Sequence, residues 1–250
     1  MTFPDYFSRQ SAGYTRFRPR YPRALFEFLA GTVERHERAW DCGTGNGQAA
    51  VGLAEWFDEV IATDASAAQL AVAESHPRVR YIRAKAEDCP LASQTVDLVT
   101  VAQAVHWFDR PRFYAEVRRV ARPGGVLAVW SYGLTTITPA VDRVVTHLYE
   151  DLVGPYWPHE RHLIEEHYQT IEFPFEELPA PEFAMADEMS YCEIMGYLAT
   201  WSAVQQFIEH QGSDPLAQIA GPLQSAWGSA QRHTVTRPLF LRVGRIVGSG

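Results

Sequence analysis

The chain has 250 residues, of which 46% are hydrophobic and 21% are charged. These proportions are typical of globular proteins and exclude a disordered, collagen-like or low-complexity chain. The 22 Lys and Arg residues stand against 30 Asp and Glu residues, so the formal net charge is −8. This balance argues against a nucleic acid or an acidic membrane surface as partner and favours a small molecule.

Cellular location and metal binding are addressed by a few local patterns. The three cysteines form no CxxC pair, so neither a disulfide framework nor a cysteine zinc site is predicted. The start of the chain lacks a basic segment followed by an apolar one, and the uncharged run at 123–141 is broken by Pro and Gly. We therefore expect a cytoplasmic protein without a membrane segment. His159, His162 and His167 lack an HExxH pattern, so no metal site is expected.

Short β-like runs alternate with helix-like runs from about residue 38 to 133, the pattern of βαβ units on a parallel sheet. Strands are predicted at residues 39–41, 60–64, 79–83, 96–102 and 126–130. The third alternates apolar and polar residues, which predicts a half-exposed strand. The fourth is nearly continuous in apolar residues, which predicts a central strand covered on both faces.

Helix-like segments follow the first, second and fourth of these strands. Ser66 and Gln69 form a capping box at the start of one of them, and Pro111 suits the start of another. The helices are predicted at residues 48–56, at 67–74, and from 111 to the Pro-Gly-Gly at 123–125.

The second half of the chain is punctuated by nine prolines and is predicted to consist of helices and connections. It contains no internal repeat and no charge-rich linker, so we expect one domain over 1–250 rather than two independent ones. Residues 1–30 would form N-terminal lid helices, and 38–133 the ligand-binding core. Residues 135–230 would form a helical insertion or cap over the carboxyl edge of the sheet. A final strand within 232–247 would be added at the sheet edge.

The strongest motif is the glycine loop, residues 41–47, which joins the first strand to a helix. Gly43, Gly45 and Gly47 allow a tight turn with positive φ and a close approach of ligand to backbone. Asp64 ends the second strand, 17 residues after the last of these glycines, where a carboxylate accepts hydrogen bonds from ribose hydroxyls. A loop and an acid in this arrangement predict a nucleoside ligand.

Two types of nucleoside cofactor are bound by motifs of this kind. Dinucleotides favour GxGxxG, in which helix N-terminal amides bind the pyrophosphate. Here the spacing is GxGxG, and Asp41 stands immediately before it. A carboxylate repels a pyrophosphate, whereas S-adenosylmethionine carries an ammonium and a sulfonium and no phosphate. The acid therefore favours S-adenosylmethionine over NAD.

Further segments accompany the loop and Asp64: residues 86–91, 96–99, and the Arg-Pro-Gly-Gly at 122–125. With them, most of residues 5–132 resembles class I S-adenosylmethionine-dependent methyltransferases of the type 11 domain group. Tyr14 with residues 17–22, and residues 104–108, resemble the branch that contains trans-aconitate-type methyltransferases. The resemblance implies a doubly wound, mostly parallel, seven-stranded Rossmann-like α/β sheet with a helical insertion.

The resemblance also implies roles for the residues around the loop. The three loop glycines would lie against the methionine part of the cofactor, and Asp41 would orient its ammonium directly or through water. Asp64 would bind the ribose, and Ala65 would lie beneath the adenine.

Three more cofactor contacts follow from the same resemblance. The backbone N–H of Ala86 would donate to the adenine ring, and Glu87 would accept from its exocyclic amine. Gln103, just after the fourth strand, would lie by the methionine end. Related enzymes often have an acid before the position of Ala86, and here that residue is Lys85.

The methyl acceptor is expected at the carboxyl edge of the sheet. His106 is the candidate catalytic base, with orientation of its loop by hydrogen bonds as the alternative. Candidate substrate residues are Tyr14, Arg18, Trp107, Trp130 and Tyr132.

The sequence thus predicts an S-adenosylmethionine-dependent methyltransferase acting on a small-molecule acceptor. A carboxylate acceptor is suggested by the trans-aconitate resemblance, while other O, N or S nucleophiles stay open. The two alternatives are an NAD-linked oxidoreductase, which would use the same loop and acid, and a non-catalytic protein that binds a nucleoside or S-adenosylmethionine.

Overall fold

The computed structural model describes residues 19–247. Tyr14, Arg18 and most of the predicted lid at 1–30 lie outside these residues. The described chain divides into two compact units. The sheet unit contains residues 20–133, 162–183 and 239–247, and the helical unit contains Pro19, 134–161 and 184–238. The predicted insertion at 135–230 is therefore divided between the two units.

One mixed sheet is the main feature of the fold. Its strands are β1 (Arg38–Cys42), β2 (Glu59–Asp64), β3 (Val79–Arg83), β4 (Val96–Ala102), β5 (Ala121–Tyr132), β6 (Glu176–Leu178), β7 (Phe183–Met189) and β8 (His233–Arg245). Seven of them follow the order β3-β2-β1-β4-β5-β8-β6, and β7 also pairs with β8. The first five are mutually parallel, whereas β8 runs antiparallel to β5 and β6. The predicted doubly wound, mostly parallel α/β sheet is confirmed.

Helices connect the strands and form most of the helical unit. The sheet unit contains α1 (Arg23–Gly31), α2 (Gln48–Leu53), α3 (Ala67–Ala71), a 3₁₀ turn (Val105–Trp107) and α4 (Arg110–Val120). Next comes α5 (Pro139–Thr146), which continues as a π-helical segment (His147–Leu152) and a 3₁₀ turn (Gly154–Tyr156). The remaining helices are α6 (Arg161–Glu165), α7 (Tyr191–Ala199), α8 (Ser202–Gln211) and α9 (Leu216–Trp227).

The burial of each strand agrees with its place in the sheet. The first six residues of β4 are buried, and β4 lies between β1 and β5. The outer strand β3 is only half-buried, as its alternating sequence predicted. β5 begins earlier than predicted, at Ala121, because its Gly-Gly segment is already paired: Gly124 N donates to Ile246 O, and Ile246 N donates to Gly125 O.

Helix α3 ends at Ala71 rather than at the predicted Glu74. Ser66 caps it, because its side chain accepts a hydrogen bond from Gln69 N. The backbone of Glu74, however, bonds outside any helix: its N–H donates to Asn46 O, and its carbonyl accepts from the Tyr81 hydroxyl. These tertiary hydrogen bonds occupy groups that a longer helix would have used.

The second half of the chain contains strands that the sequence did not indicate. β6 and β7 lie within the segment predicted to be helical. The prediction that the last strand lies at the sheet edge is wrong, because β6 pairs with the outer side of β8. With only three residues, two of them exposed glutamates, β6 is too short to show periodicity.

Each unit has its own apolar core. In the sheet unit, β1, β4 and β5 pack against α4 through residues such as Trp40, Val99, Phe113, Val117 and Leu127. In the helical unit, α5, α7 and α9 contribute Val141, Val145, Leu198, Ile219 and Leu223. None of the helices between residues 19 and 247 has the length and apolar character that crossing a bilayer requires.

Candidate active site

The loop and acid predicted from the sequence come together at the carboxyl ends of neighbouring strands. Asp41 lies near the end of β1, and Asp64 is the last residue of β2, which pairs with it in parallel. Strand order reverses between β1 and β4, so this is the switch point of the sheet. Open α/β sheets bind their ligands in the crevice at such a point.

The three glycines all adopt positive φ, with values of 70°, 57° and 87° at Gly43, Gly45 and Gly47. Two of them are required by the packing of the protein itself. A Cβ on Gly43 would lie 2.6 Å from Ala104 Cβ, and one on Gly47 would lie 2.1 Å from the Tyr81 hydroxyl oxygen. A Cβ on Gly45 would meet only the Gln69 side chain, at 3.8 Å. Gly45 therefore has the room for a close ligand.

Asp41 is fully buried beneath the loop. Its Oδ2 accepts a hydrogen bond from Thr44 Oγ1 (2.6 Å), and its Oδ1 accepts one from Thr100 Oγ1 (2.8 Å). Burial raises the pKa of Asp41 to about 6, the two threonine hydroxyls oppose this shift, and the charge of Asp64 adds to it. Both oxygens of Asp41 thus accept hydrogen bonds inside the protein.

Asp64 is half-buried and is held in one orientation by the backbone. Its Oδ2 accepts from Gly45 N (2.9 Å), and its Oδ1 accepts from Ser66 N (2.8 Å). A carboxylate has about four lone-pair positions and can accept more than two hydrogen bonds. The carboxylate is thus fixed in position and able to accept from a ribose.

The amides of the glycine loop are used inside the protein. Gly43 N and Thr44 N both donate to Thr63 O, at 2.8 and 2.9 Å. Gly45 N donates to Asp64, and Gly47 N donates to Thr44 O. A dinucleotide loop instead directs such amides at a pyrophosphate. The arrangement therefore fits a cofactor without phosphate.

The predicted adenine contacts lie along the ends of β2 and β3. Ala65 is half-buried, and its carbonyl accepts from Arg83 Nε (3.2 Å). Ala86 is buried, and Glu87 Oε1 accepts from Asp109 N (2.9 Å), the residue that caps α4. Glu87 therefore fixes the start of a helix and has one carboxylate oxygen outside that bond.

Gln103 follows β4 with a positive φ of 57°, an uncommon conformation for a residue with a side chain. Its N–H donates to Trp130 O (2.9 Å), which ties the end of β4 to the end of β5. Backbone strain of this kind persists where the surroundings enforce it, often at functional sites. Its position at the end of β4 agrees with the predicted place beside the cofactor.

His106 lies in the 3₁₀ turn after β4 and is buried. Its Nδ1 is 2.8 Å from the hydroxyl oxygen of Tyr168, which is itself fully buried with a φ of 59°. Its ring centroid is 4.8 Å from that of the half-buried Trp107. These contacts supply the loop-orienting role that was the alternative to a catalytic base.

Trp130 and Tyr132 lie at the end of β5, and both are buried. The Trp130 ring meets the Tyr21 ring edge-on, with centroids 5.4 Å apart. Its indole Nε1 has no hydrogen-bond partner among the described residues, which is unusual for a buried donor. Trp130 is therefore a candidate donor to an acceptor molecule.

Several residues of the site were not predicted from the sequence. Thr44 stands inside the glycine loop, so the motif itself offered a signal for it. Thr100 lies opposite Asp41 in the register of β1 and β4, which a sequence does not reveal. Tyr81 and Tyr168 reach the site from β3 and from a distant connection, and no local pattern marks them.

The residues present fit S-adenosylmethionine. A half-buried carboxylate stands at the end of β2, Gly45 leaves room beside the loop, and a buried carboxylate supplies negative potential toward a cationic ligand. Between residues 19 and 247, no three His, Cys, Asp or Glu side chains are grouped so as to hold a metal ion.

Comparisons with known proteins agree with this site. A family model described as a methyltransferase domain matches residues 40–129, which include the glycine loop, Asp64 and Gln103. A Dictyostelium discoideum protein described as a methyltransferase is 36% identical over 247 residues, which cover 96% of this chain and 94% of that protein. A Saccharomyces cerevisiae protein described as an S-adenosylmethionine-dependent methyltransferase is 33% identical over 135 residues, covering 49% of this chain and 45% of its own length.

Solved structures extend the agreement to the whole fold. A structure described as a type II methyltransferase from Anaeromyxobacter dehalogenans has 49% identity and a TM-score of 0.88, and covers 93% of this chain and 100% of that chain. A Bacillus halodurans structure with 19% identity and a TM-score of 0.51, covering 90% of this chain and 98% of that one, shares the fold alone. The extent of the Dictyostelium match and the site geometry lead to one conclusion: the chain belongs to the class I S-adenosylmethionine-dependent methyltransferases.

Proposed function

We propose that this methyltransferase uses S-adenosylmethionine to methylate a small-molecule acceptor, and that the acceptor is a carboxylate-bearing compound. The observation that carries the proposal is the pair of acids at the ends of β1 and β2, combined with a glycine loop whose amides are bonded internally. The similarity of residues 17–22 and 104–108 to the trans-aconitate-type branch supports a carboxylate. The formal charge of −8 argues against nucleic acid.

In this proposal each predicted site residue has one role. Asp64 accepts from the ribose hydroxyls, and Gly45 lies against the methionine part. Asp41 stabilises the ammonium through its negative potential, with Thr44 and Thr100 fixing its carboxylate. Ala65, Ala86 and Glu87 surround the adenine, while Gln103 lies by the methionine end.

Methyl transfer requires little from the protein beyond positioning of the acceptor. Bound S-adenosylmethionine supplies an electrophilic methyl group and a neutral thioether leaving group. The chain aligns the acceptor and excludes water, and alignment of this kind contributes up to ~7–11 kcal/mol to a reaction. A carboxylate is already ionised at neutral pH, so its methylation requires no base. His106 accordingly acts as a positioning residue through Tyr168.

A methylated cysteine intermediate is not part of this mechanism. Cys42 lies in the glycine loop, and burial raises the pKa of its thiol well above the ordinary value. Burial also raises the pKa of Cys89 to about 12. Both thiols are therefore protonated and poorly nucleophilic at neutral pH, and the methyl group passes directly to the acceptor. Free, buried thiols also suit the reducing cytoplasm that we propose as the location.

Binding of the methyl donor gives the first test, through Asp64→Ala. We expect the variant to bind S-adenosylmethionine about 1–3 kcal/mol more weakly, because two ribose hydroxyls lose a charged acceptor. Isothermal titration calorimetry measures the dissociation constant. Asp58→Ala is the matched control, since this exposed acid precedes the opposite end of the same strand. An equal dissociation constant for wild type and Asp64→Ala contradicts the assignment.

Turnover gives the second test. The protein is incubated with S-adenosylmethionine and a panel of carboxylates, phenols and amines, and S-adenosylhomocysteine is measured by mass spectrometry. Acceptor-dependent release with a carboxylate, together with the mass of the methyl ester, supports the proposal. Donor binding without release from any acceptor favours the non-catalytic alternative. Release only with phenols or amines refutes the carboxylate assignment while leaving methyl transfer intact.

A further inference from the structure

Arg237 is a buried charge in the helical unit. It lies on β8, and its side chain is 0% exposed. It shares a strand face with Val235, which belongs to the apolar core of this unit. Burying a guanidinium costs several kcal/mol unless good partners compensate it. A charge in this position therefore calls for well-formed partners.

The partners of Arg237 compensate it only in part. Its Nη1 lies 3.2 Å from Asp187 Oδ2, which is a single contact with one carboxylate oxygen. Its Nη2 donates to Met189 Sδ at 3.3 Å, a weak acceptor. The guanidinium carbon lies 4.5 Å from the centre of the Tyr197 ring. Among the described residues, its Nε has no acceptor at all.

Another arginine of β8 has an oxygen acceptor for each of its guanidinium nitrogens. Arg242, in the sheet unit, donates from Nε and Nη2 to the two carboxylate oxygens of Glu177. Its Nη1 donates to the carbonyls of Tyr168 and Ile171. All three of its nitrogens have oxygen acceptors, whereas Arg237 has one.

The strand register places a second buried polar group opposite Arg237. Thr136 and Thr236 exchange two backbone hydrogen bonds in an antiparallel bridge, at 2.8 and 2.9 Å. Continuing this register by one residue sets Thr135 opposite Arg237, with both side chains on the same face. Thr135 is 2% exposed, and its hydroxyl has no partner within the described part of the chain. Two cross-strand neighbours thus present buried donors without acceptors.

We propose that Arg237 and Thr135 bind the carboxylate group of a small-molecule ligand. Nε and Nη2 form one edge of a planar guanidinium, and two carboxylate oxygens match that edge. The Thr135 hydroxyl supplies a third donor. The negative charge completes the compensation that Asp187 provides only in part.

A ligand without this negative charge loses the ion pair with the guanidinium, so the neutral amide of the same shape is the matched comparison. The binding site does not rest on the proposed function.

The test measures binding of small carboxylates in the absence of S-adenosylmethionine. The probes are benzoate and hexanoate, each compared with its neutral primary amide, benzamide or hexanamide. Ligand-detected NMR titrations give dissociation constants up to the millimolar range. We expect wild type to bind at least one carboxylate about tenfold or more tightly than its amide. Equal affinity for acid and amide in both pairs, or no binding of either acid, overturns the proposal.

Two variants test whether Arg237 and Thr135 cause the preference for acid over amide. Arg237→Met keeps much of the side-chain volume and removes the charge, and Thr135→Val removes only the hydroxyl. We expect both to abolish the preference for acid over amide or to weaken it about tenfold. Thr136→Val, at the exposed neighbouring threonine, is the matched control and should retain it. Unchanged preference in both folded test variants contradicts the assignment. Because Thr135→Val is nearly isosteric, it keeps the test valid should Arg237→Met unfold.

A separate measurement distinguishes this proposal from the proposed function. S-adenosylmethionine binding by calorimetry reports on the sheet unit in the same set of variants. Carboxylate preference without donor binding refutes the methyltransferase role but not the site. Donor binding and turnover without carboxylate preference refute the site but not the methyltransferase role.

Discussion

Single residues of the glycine loop serve the packing of the protein as much as its ligand. Gly47 faces the Tyr81 hydroxyl so closely that a Cβ would lie 2.1 Å from its oxygen. That hydroxyl also donates to Glu74 O at 2.6 Å. The glycine motif therefore meets two requirements. Gly47 is needed for packing against Tyr81, whereas Gly45 leaves room for a ligand.

Gly47→Ala should lower the free energy of unfolding by about 2–4 kcal/mol, because it combines a positive φ with a steric overlap. Urea denaturation measures the change. Gly45→Ala is the control and should cost only about 1 kcal/mol, because the Ala would adopt a positive φ but its Cβ would meet nothing closer than 3.8 Å. Adding Tyr81→Phe should restore part of the stability of Gly47→Ala. An equal loss in the single and double variants would refute the overlap with the hydroxyl.

The buried Asp41 makes the free energy of unfolding depend on pH. Its pKa is about 6 in the folded protein against 3.8 in the reference state, so the folded state binds the proton more tightly than the unfolded chain. The resulting stabilisation is complete below about pH 3.8 and is lost as pH rises through about 6. A difference of about two pKa units corresponds to ~3 kcal/mol.

Asp41→Asn should remove this dependence. We expect the unfolding free energy of wild type, relative to the variant, to fall by up to ~3 kcal/mol between pH 4 and pH 7. Urea denaturation of both proteins at several pH values measures the two unfolding free energies. The contributions of the other titrating groups cancel in their difference. A difference that stays constant over this range would show that Asp41 has an ordinary pKa in the folded protein.

At the scale of elements, one buried carboxylate joins the amino ends of three strands. Asp97, on β4, accepts from Glu37 N and Arg38 N at the start of β1, at 3.0 and 2.9 Å. Its other oxygen accepts from Arg122, on β5, at 2.6 Å. Because the candidate active site lies at the opposite ends of the same strands, Asp97 stabilises the sheet without touching the cofactor region.

Asp97→Ala should lower the free energy of unfolding by about 3 kcal/mol, because it leaves two backbone donors without their acceptor and removes one of the two carboxylates that bind Arg122. Chemical denaturation measures the loss, with the exposed Asp88→Ala as a control that should change little. The dissociation constant for S-adenosylmethionine should stay within about twofold of wild type. Weakened cofactor binding in a folded variant would place Asp97 in the site.

The sequence predicted elements well where the local pattern was strong. The apolar runs at 60–64 and 96–102 identified β2 and β4, and the positions of Asp41 and Asp64 followed from the strand ends. The end of α3 was not predictable, because it depends on hydrogen bonds that Glu74 forms with the Asn46 carbonyl and the Tyr81 hydroxyl. Thr100 likewise joins the site only through the register of two strands, and β6 is too short for any periodicity to be visible.

At the scale of the whole molecule, cofactor binding and folding are linked by mass action. A ligand that binds only the folded state stabilises it by about 2.7 kcal/mol at a hundredfold excess over its dissociation constant. We expect S-adenosylmethionine to slow amide hydrogen exchange around residues 41–47 and 64–70, as measured by mass spectrometry. Asp64→Ala should need more ligand for the same protection. Unchanged exchange at saturating ligand would contradict binding at this loop.

The two units are interleaved along the chain. Among the described residues, the helical unit is made from Pro19, 134–161 and 184–238, and strand β8 passes from one unit to the other between Pro238 and Leu239. A proline lacks the N–H that a sheet ladder uses, and regular pairing with β5 starts at the next residue. No single cut can therefore release the helical unit as one continuous segment. A chimaera that exchanges this unit between relatives needs at least two donor segments, with joints near 134, 162, 184 and 239.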